Sequence, residues 1–215
     1  MATLKLEQQR EAISLYRNGL SAQQIAHHFG VKIDAIYYTL RYFKIHRRTT
    51  QESNRIRFET KPLSYHIKEK LTSVEERLRL AAVMLYWAEG FKVGKQQTVD
   101  FANSDPYMIL IFTNFLRNIC QIDEKRLRAC IYCYEGQDVD ALTKFWSNVL
   151  SIPASQFTKP YIKRAAMPGP RGPRMIHGLV HVRYCDKKLL RQILEWIEKY
   201  CHESVGGGVV NRTTL

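Results

Sequence analysis

The segment LAAVMLYWAEG, Leu80 to Gly90, decides how the rest of the chain reads. Nine apolar residues run without a break and end in one carboxylate, Glu89, and a glycine. Upstream, Ser73 with Glu76 forms a capping box, so the spacing predicts a helix from Val74 to about Glu89, stopped at Gly90. A helix that is apolar all round must be buried on every side. An acid at its tip is unusual and calls for a role.

Short strands and helices alternate downstream of this helix. Gln97–Asn103 reads as a strand and Pro106–Cys120 as a helix opened by Ser104-Asp105-Pro106, a cap with proline in the first turn. Arg126–Tyr134 is a strand, and Val139–Leu150 is a helix after Asp138. Phe157–Lys163 and Met175–Tyr184 are strands joined by the Pro/Gly-rich loop AAMPGPRGP, and Lys187–Cys201 is a closing helix. A weak repeat supports the layout: DPYMILIFTNFLRNI and DVDALTKFWSNVLSI align Asp105 with Asp138, Phe112 with Phe145 and Ile119 with Ile152. Two copies suggest two helix–strand units around one core, not a solenoid.

Upstream lies a separate block, residues 1–48. Three helices are expected, over Leu6–Asn18, Ala22–Phe29 and Ile33–Phe43, with Ser21 capping the second and Gly30-Val31 forming a tight turn. Ala26 is small where two helices cross, Gly30 permits a left-handed turn, and Val31, Ile36 and Leu40 fill a little core. This stretch, SAQQIAHHFGVKIDAIYYTL, resembles the helix-turn-helix of resolvases and many bacterial regulators. If so, the third helix enters the major groove, exposing Lys32, Asp34, Tyr37, Tyr38 and Arg41 to base edges, while Lys44, Arg47 and Arg48 suit phosphates. The block carries eight basic and three acidic residues. A three-helix protein-interaction module is the competing reading. His27-His28 is surface or core filler, not a ligand pair. Residues 49–72 are polar, lack a clear period and contain Pro62; they read as a linker with room for a short helix. Residues 73–205 form the second domain, and 206–215 (GGGVVNRTTL) a flexible tail.

Composition agrees with a nucleic-acid partner. The 215 residues hold 33 Lys and Arg against 20 Asp and Glu, a net charge of +13, with 45% hydrophobic residues, which excludes a wholly disordered chain. No apolar run nears the ~18 residues of a membrane span, and no signal-peptide stretch is present, so a soluble, cytoplasmic protein without membrane contact is expected. The five cysteines are odd in number, which argues against a disulfide framework. On a strand, Cys130 and Cys133 face opposite sides, which argues against a zinc site.

Strand alternation sorts the remaining chemistry. Leu127, Ala129, Ile131 and Cys133 face one way; Arg126, Arg128, Tyr132 and Tyr134 face the other. Lys159, Tyr161 and Lys163 share a face, and His177, His181 and Arg183 lie opposite Ile176, Val180 and Val182. Thr98, Asp100 and Ala102 share one face of the first strand. Helices cover the apolar side, leaving a basic, aromatic face suited to a nucleic-acid groove. From Ala141 to Cys185 there is no acid and there are seven Lys or Arg, whereas a merely solvated face mixes signs. Stacking of single strands on Tyr132, Tyr134 and Tyr161 is a competing use.

This pattern, a buried helix ending in acid-Gly followed by a basic saddle, resembles the LAGLIDADG homing-endonuclease family. The nine matching residues are Ala82–Gly90, AVMLYWAEG. It is also similar to bacterial proteins joining a helix-turn-helix to a YWAEG helix and an NSDP turn (Asn103–Pro106). The resemblance implies an α+β chain: a three-helix helix-turn-helix domain and a LAGLIDADG-like α/β domain with an antiparallel, saddle-shaped sheet. It implies that two acid-tipped helices pack together and that their carboxylates bind magnesium beside the scissile phosphates of double-stranded DNA. Only one such helix is present, so a nuclease would be a homodimer with Glu89 from each chain as catalytic and metal-binding acid. Lys163, Arg183 and His181 are candidate helpers near the acids, with plain phosphate contact as the alternative; Lys163 is taken as catalytic. Asp100 is a candidate metal support, and Asp105 a helix cap.

Three functions follow as expectations. The first is a sequence-specific duplex-DNA regulator that binds without efficient cleavage, as in family members that pair the domain with a helix-turn-helix. The second is a magnesium-dependent endonuclease. The third is an RNA-binding or intron-assisting protein, against which the helix-turn-helix argues, because A-form grooves do not admit a reading helix. Met84, where the family often has glycine, and Trp87 beside the acid favour the first.

Overall fold

The computed structural model describes residues 4–92, 97–164 and 175–204. The expected Pro/Gly-rich loop and flexible tail lie outside the described residues. The chain forms two compact units, Met1–Pro62 and Leu63–Leu215. The fold is mixed α+β, with eight α-helices and a four-stranded sheet among the described residues.

The first unit contains α1 (Leu6–Arg17), α2 (Ala22–Phe29), α3 (Ile33–Tyr42) and α4 (Thr50–Thr60). Its core is small: Ala12, Tyr16, Ala22, Ile25, Ala26, Ile36 and Leu40 are buried. Ile25 and Ile36 are fully removed from water, a contribution of about 1.5–3 kcal/mol each. Ser21 Oγ accepts a hydrogen bond from the Gln24 amide, and the Gln24 side chain accepts from the Ser21 amide, which starts α2. Gly30 ends it at φ 63°, the left-handed turn expected from its lack of a Cβ. The helix α4 falls inside the segment expected to be a linker. Thr49 and Glu52 form its capping box, and the side chain of Ile56 seats 3.2 Å from where a Cβ on Gly19 would stand.

The second unit contains α5 (Ser73–Glu89), β1 (Val99–Asn103), α6 (Pro106–Asn118), β2 (Leu127–Tyr134), α7 (Val139–Leu150), β3 (Tyr161–Lys163), β4 (Leu179–Tyr184) and α8 (Lys187–Ser204). It begins ten residues before the expected boundary at Ser73. The segment ahead of α5 is tied to the unit by backbone bonds from His66 to Cys120 and from Lys68 to Ile119. The cap of α5 is Thr72 with Glu75, one residue earlier than the expected Ser73–Glu76 pair. Asp105 and Asp138 cap α6 and α7, as the repeat suggested.

Strand order is β1-β4-β2-β3, and the sheet is not wholly antiparallel as expected. β4 pairs antiparallel with β1 and β2, but β3 runs parallel to β2. The reason is the intervening α7: a helical crossover returns the chain in the same direction, whereas a tight hairpin would reverse it. One face of the sheet carries Val99, Phe101, Leu127, Ala129, Ile131, Cys133, Val180, Val182 and Tyr184, all in the core with residues of α5 to α8. Phe112 of α6 packs against Phe101 and Tyr86 at ring-centre distances of 4.5 and 5.5 Å.

Gly90 joins α5 to the sheet. It bridges to Phe101 of β1, and the Phe91 amide donates to the Asp100 carbonyl. A Cβ at Gly90 would stand 2.4 Å from the Tyr86 carbonyl oxygen, so only glycine fits. Tyr86 is fully buried, which pushes its phenol up to about 12, and its hydroxyl donates to the Phe91 carbonyl. Helix α5 is not buried on every side, as its composition suggested. Ala82, Val83 and Tyr86 are buried, but Val74, Leu80, Ala81, Trp87 and Ala88 are exposed. No helix among the described residues is long and apolar enough to cross a membrane.

Candidate nucleic-acid interface

On the first unit, α3 displays an outward face. Lys32, Asp34, Tyr38 and Arg41 are exposed, and Tyr38 stacks on Tyr42 with centres 6.2 Å apart. Asp34 occupies the first turn, where its charge suits the helix dipole. Lys44 and Arg47 follow and are exposed. Two expected contact residues are engaged within the unit. Tyr37 is half-buried beneath the Arg47 guanidinium, 4.1 Å from its ring centre. Arg48 lies over the Tyr16 ring at 4.0 Å and donates to the Gly19 and Leu20 carbonyls, so its guanidinium holds the post-helix segment in place. His27 and His28 are exposed.

On the second unit, the outward sheet face is organised in rows fixed by register. Asp100, Arg183 and Arg128 form one row; Ala102, His181 and Cys130 the next; Tyr132 and Tyr161, then Tyr134 and Lys163, follow towards β3. Asp100 is the hub. Its Oδ1 lies 2.8 Å from His181 Nδ1, and its Oδ2 accepts from Arg183 Nε at 2.9 Å. Arg183 Nη2 also donates to the Tyr132 hydroxyl at 3.3 Å. The Tyr132 ring lies between His181 and Tyr161, at 4.2 and 4.9 Å. Burial pushes the Asp100 carboxyl upward, but the bonds and charges of His181 and Arg183 outweigh this and hold it below the ordinary value. Arg183 is held above its ordinary value: Tyr132 and Asp100 together outweigh its desolvation. Both carboxylate oxygens of Asp100 are thus engaged, one by His181 and one by Arg183, so Asp100 holds these two side chains together. Asp105 accepts from the Tyr107 amide at 2.8 Å and is a helix cap.

Most of the expected face residues are brought together: Arg128, Tyr132, Tyr134, Tyr161, Lys163, His181 and Arg183. Lys159 is exposed in the segment leading into β3, where its carbonyl meets Cys130 Sγ at 3.4 Å. Two residues lie elsewhere. His177 precedes β4, and its ring stacks on Phe145 of α7 at 3.7 Å, while its carbonyl accepts from Trp146 Nε1. Alternation fails there because the strand starts only at Leu179; Ile176, expected inside, is exposed. Arg126 sits in a short 3-10 turn, donates to the Cys185 carbonyl at 2.6 Å and covers the Tyr184 ring.

Glu89 ends α5 at the exposed tip, beside the edge strand β1, and its carboxylate has no ion-pair or hydrogen-bond partner among the described residues. No group of three or more His, Cys, Asp or Glu side chains converges on one point among the described residues. One chain therefore offers a single free carboxylate here. Sequence reading missed the role of Asp100 as hub, although it placed Asp100 on the right face. It also missed the extent of α4, for which the Thr49-x-x-Glu52 capping box was the available signal. Comparison with protein-family models, with curated proteins and with solved structures gives no match for this chain.

Proposed function

We propose that the chain is a sequence-specific double-stranded DNA-binding protein that acts as a homodimer, through a helix-turn-helix and the basic sheet face of a LAGLIDADG-like unit, and that it regulates without efficient cleavage. The observation that carries this reading is the α2–Gly30–α3 geometry, with Lys32, Asp34, Tyr38 and Arg41 outward on α3 and Gly30 at φ 63°. The sheet supplies a second surface on which Arg128, Lys163 and the Tyr132–Tyr161 pair suit phosphates and planar groups. The homodimer is supported by the exposed apolar residues Val74, Leu80, Ala81, Trp87 and Ala88 of α5, which flank the exposed Arg77 and which a second copy would cover. Met84 and the bulky Trp87 oppose the close helix approach that pairing of two Glu89 carboxylates requires, which favours binding over cutting.

The second reading is a magnesium-dependent LAGLIDADG-type endonuclease. It is favoured by one observation: Glu89 is exposed, unengaged and at the tip of that same helix. Magnesium held by two Glu89 carboxylates would polarise the scissile phosphate and activate water; Lys163 would steady phosphate charge.

A randomised duplex-DNA pool tests both. Full-length protein is incubated with the pool and magnesium, bound and cut molecules are sequenced separately, and Glu89→Gln is the control. Selection of a pseudo-palindrome without cutting is the expected result. Cutting that disappears in Glu89→Gln would replace the regulator by the endonuclease. Absence of any selected duplex would remove the helix-turn-helix reading and leave structured RNA as the ligand.

A further inference from the structure

The helix α4 has two unlike faces. Thr50, Ser53, Asn54 and Arg57 recur at three- and four-residue spacing and carry no acid. The two acids of the helix are spent elsewhere: Glu52 closes the capping box with Thr49, and Glu59 pairs with Arg55. The acid-free face lines a concavity of about 580 Å³ in the first unit, shared with Gln23 of α2, Tyr37 of α3 and Arg47. The Arg47 guanidinium carbon stands 4.1 Å from the Tyr37 ring centre, which holds this cation at the rim of the concavity. Arg57, Ser53 and Asn54 are exposed, and none of their side chains is engaged among the described residues. Ile56 of α4 lies beside Gly19, on the helix face next to this row.

We infer that this concavity is a cradle for one strand of the duplex backbone, with Arg57 and Arg47 as the phosphate-binding cations and Ser53 and Asn54 as neutral donors beside them. A groove rich in guanidinium, hydroxyl and amide groups and free of carboxylates matches the phosphodiester backbone and not a base edge, which offers no uniform charge. The helix α4 therefore extends the three-helix reader by a fourth element that sets its register on the backbone. This inference rests on the proposed duplex-DNA binding.

The test measures binding of full-length protein to a fluorescein-labelled 30-base-pair duplex as sodium chloride is varied. Arg57→Ala is compared with Arg55→Ala, which alters the opposite face, and with the wild type. Each phosphate contact contributes about 0.9 to the slope of log affinity against log salt. The slope for Arg57→Ala should be shallower by about one, with base preference unchanged, while Arg55→Ala keeps the wild-type slope. Ser53→Ala/Asn54→Ala should weaken binding without changing the slope. A wild-type slope in Arg57→Ala would overturn the cradle, as would a change of base preference. Failure of the wild type to bind any duplex would instead remove the reading on which the cradle rests.

Discussion

Asp100 and Arg183 stand opposite each other on β1 and β4, with Oδ2 2.9 Å from Nε, so one carboxylate lies on the same sheet face as Arg128, Arg183, Lys163 and three tyrosines. The same carboxylate holds His181 through Nδ1. Asp100 thus partly neutralises the surface proposed to meet DNA while fixing the side chains that form it.

Asp100→Ala should lower stability by about 1.5–3 kcal/mol, the range for charged hydrogen bonds lost from a mostly buried site. Urea unfolding measures this. The sign with pH follows from the depressed carboxyl: its contribution is present above the ordinary value of 3.8 and is lost as pH falls through the lower folded value. Wild-type and variant stabilities should converge below that window. At neutral pH the variant should bind random duplex more tightly, with a steeper salt dependence, because Arg183 loses its counter-charge.

Gly90→Ala places a methyl group 2.4 Å from the Tyr86 carbonyl oxygen and 2.6 Å from its ring. The cost should be about 1–3 kcal/mol of overpacking. Because Gly90 bridges to Phe101, the junction of α5 and β1 should loosen, read as faster amide exchange at Phe91, whose amide bonds to Asp100.

Glu75 is held down to about 2, first by the hydrogen bond from Lys68, then by its cap to the Thr72 amide. Its contribution is complete above the ordinary value of 4.5 and is lost as pH falls to about 2. Glu75→Gln should melt earlier than the wild type at pH 6, and the gap should close between pH 4.5 and about 2.

The exposed apolar residues of α5 give a test of assembly. Wild-type protein should sediment as a dimer, and Ala88→Arg should sediment as a monomer while keeping the wild-type circular dichroism. A wild type that stays monomeric at micromolar concentration would contradict the two-copy arrangement.

Much of this was legible in the sequence where the signal is local. Ser21, Ala26, Gly30 and Ile36 define the turn between α2 and α3 by cap, small contact, left-handed residue and core filler, all within twenty residues. The two Asp caps and the inward rows of β2 and β4 are equally local. The segment ahead of α5 was not legible, because Lys68 is placed by the carbonyl of Ile119, far along the chain. The helix α4 buries no residue among those described, so no apolar period marks it. The parallel pairing of β3 was hidden for a similar reason: all three of its residues are exposed, and pairing direction depends on the crossover. Alternation placed Asp100 and Arg183 on one face, but only cross-strand register sets them side by side.

Sequence reading by α3, as proposed, is tested by one titration. Affinity of the full chain for its selected duplex is compared with affinity for a shuffled duplex of equal length at a fixed physiological salt concentration, for wild type and for Tyr38→Ala/Arg41→Ala. The wild type should prefer its selected duplex by about a thousandfold or more, the variant by one to two orders of magnitude less, with shuffled-duplex binding nearly unchanged. Equal affinity of the wild type for both duplexes, or an unchanged preference in the variant, would contradict sequence reading by α3.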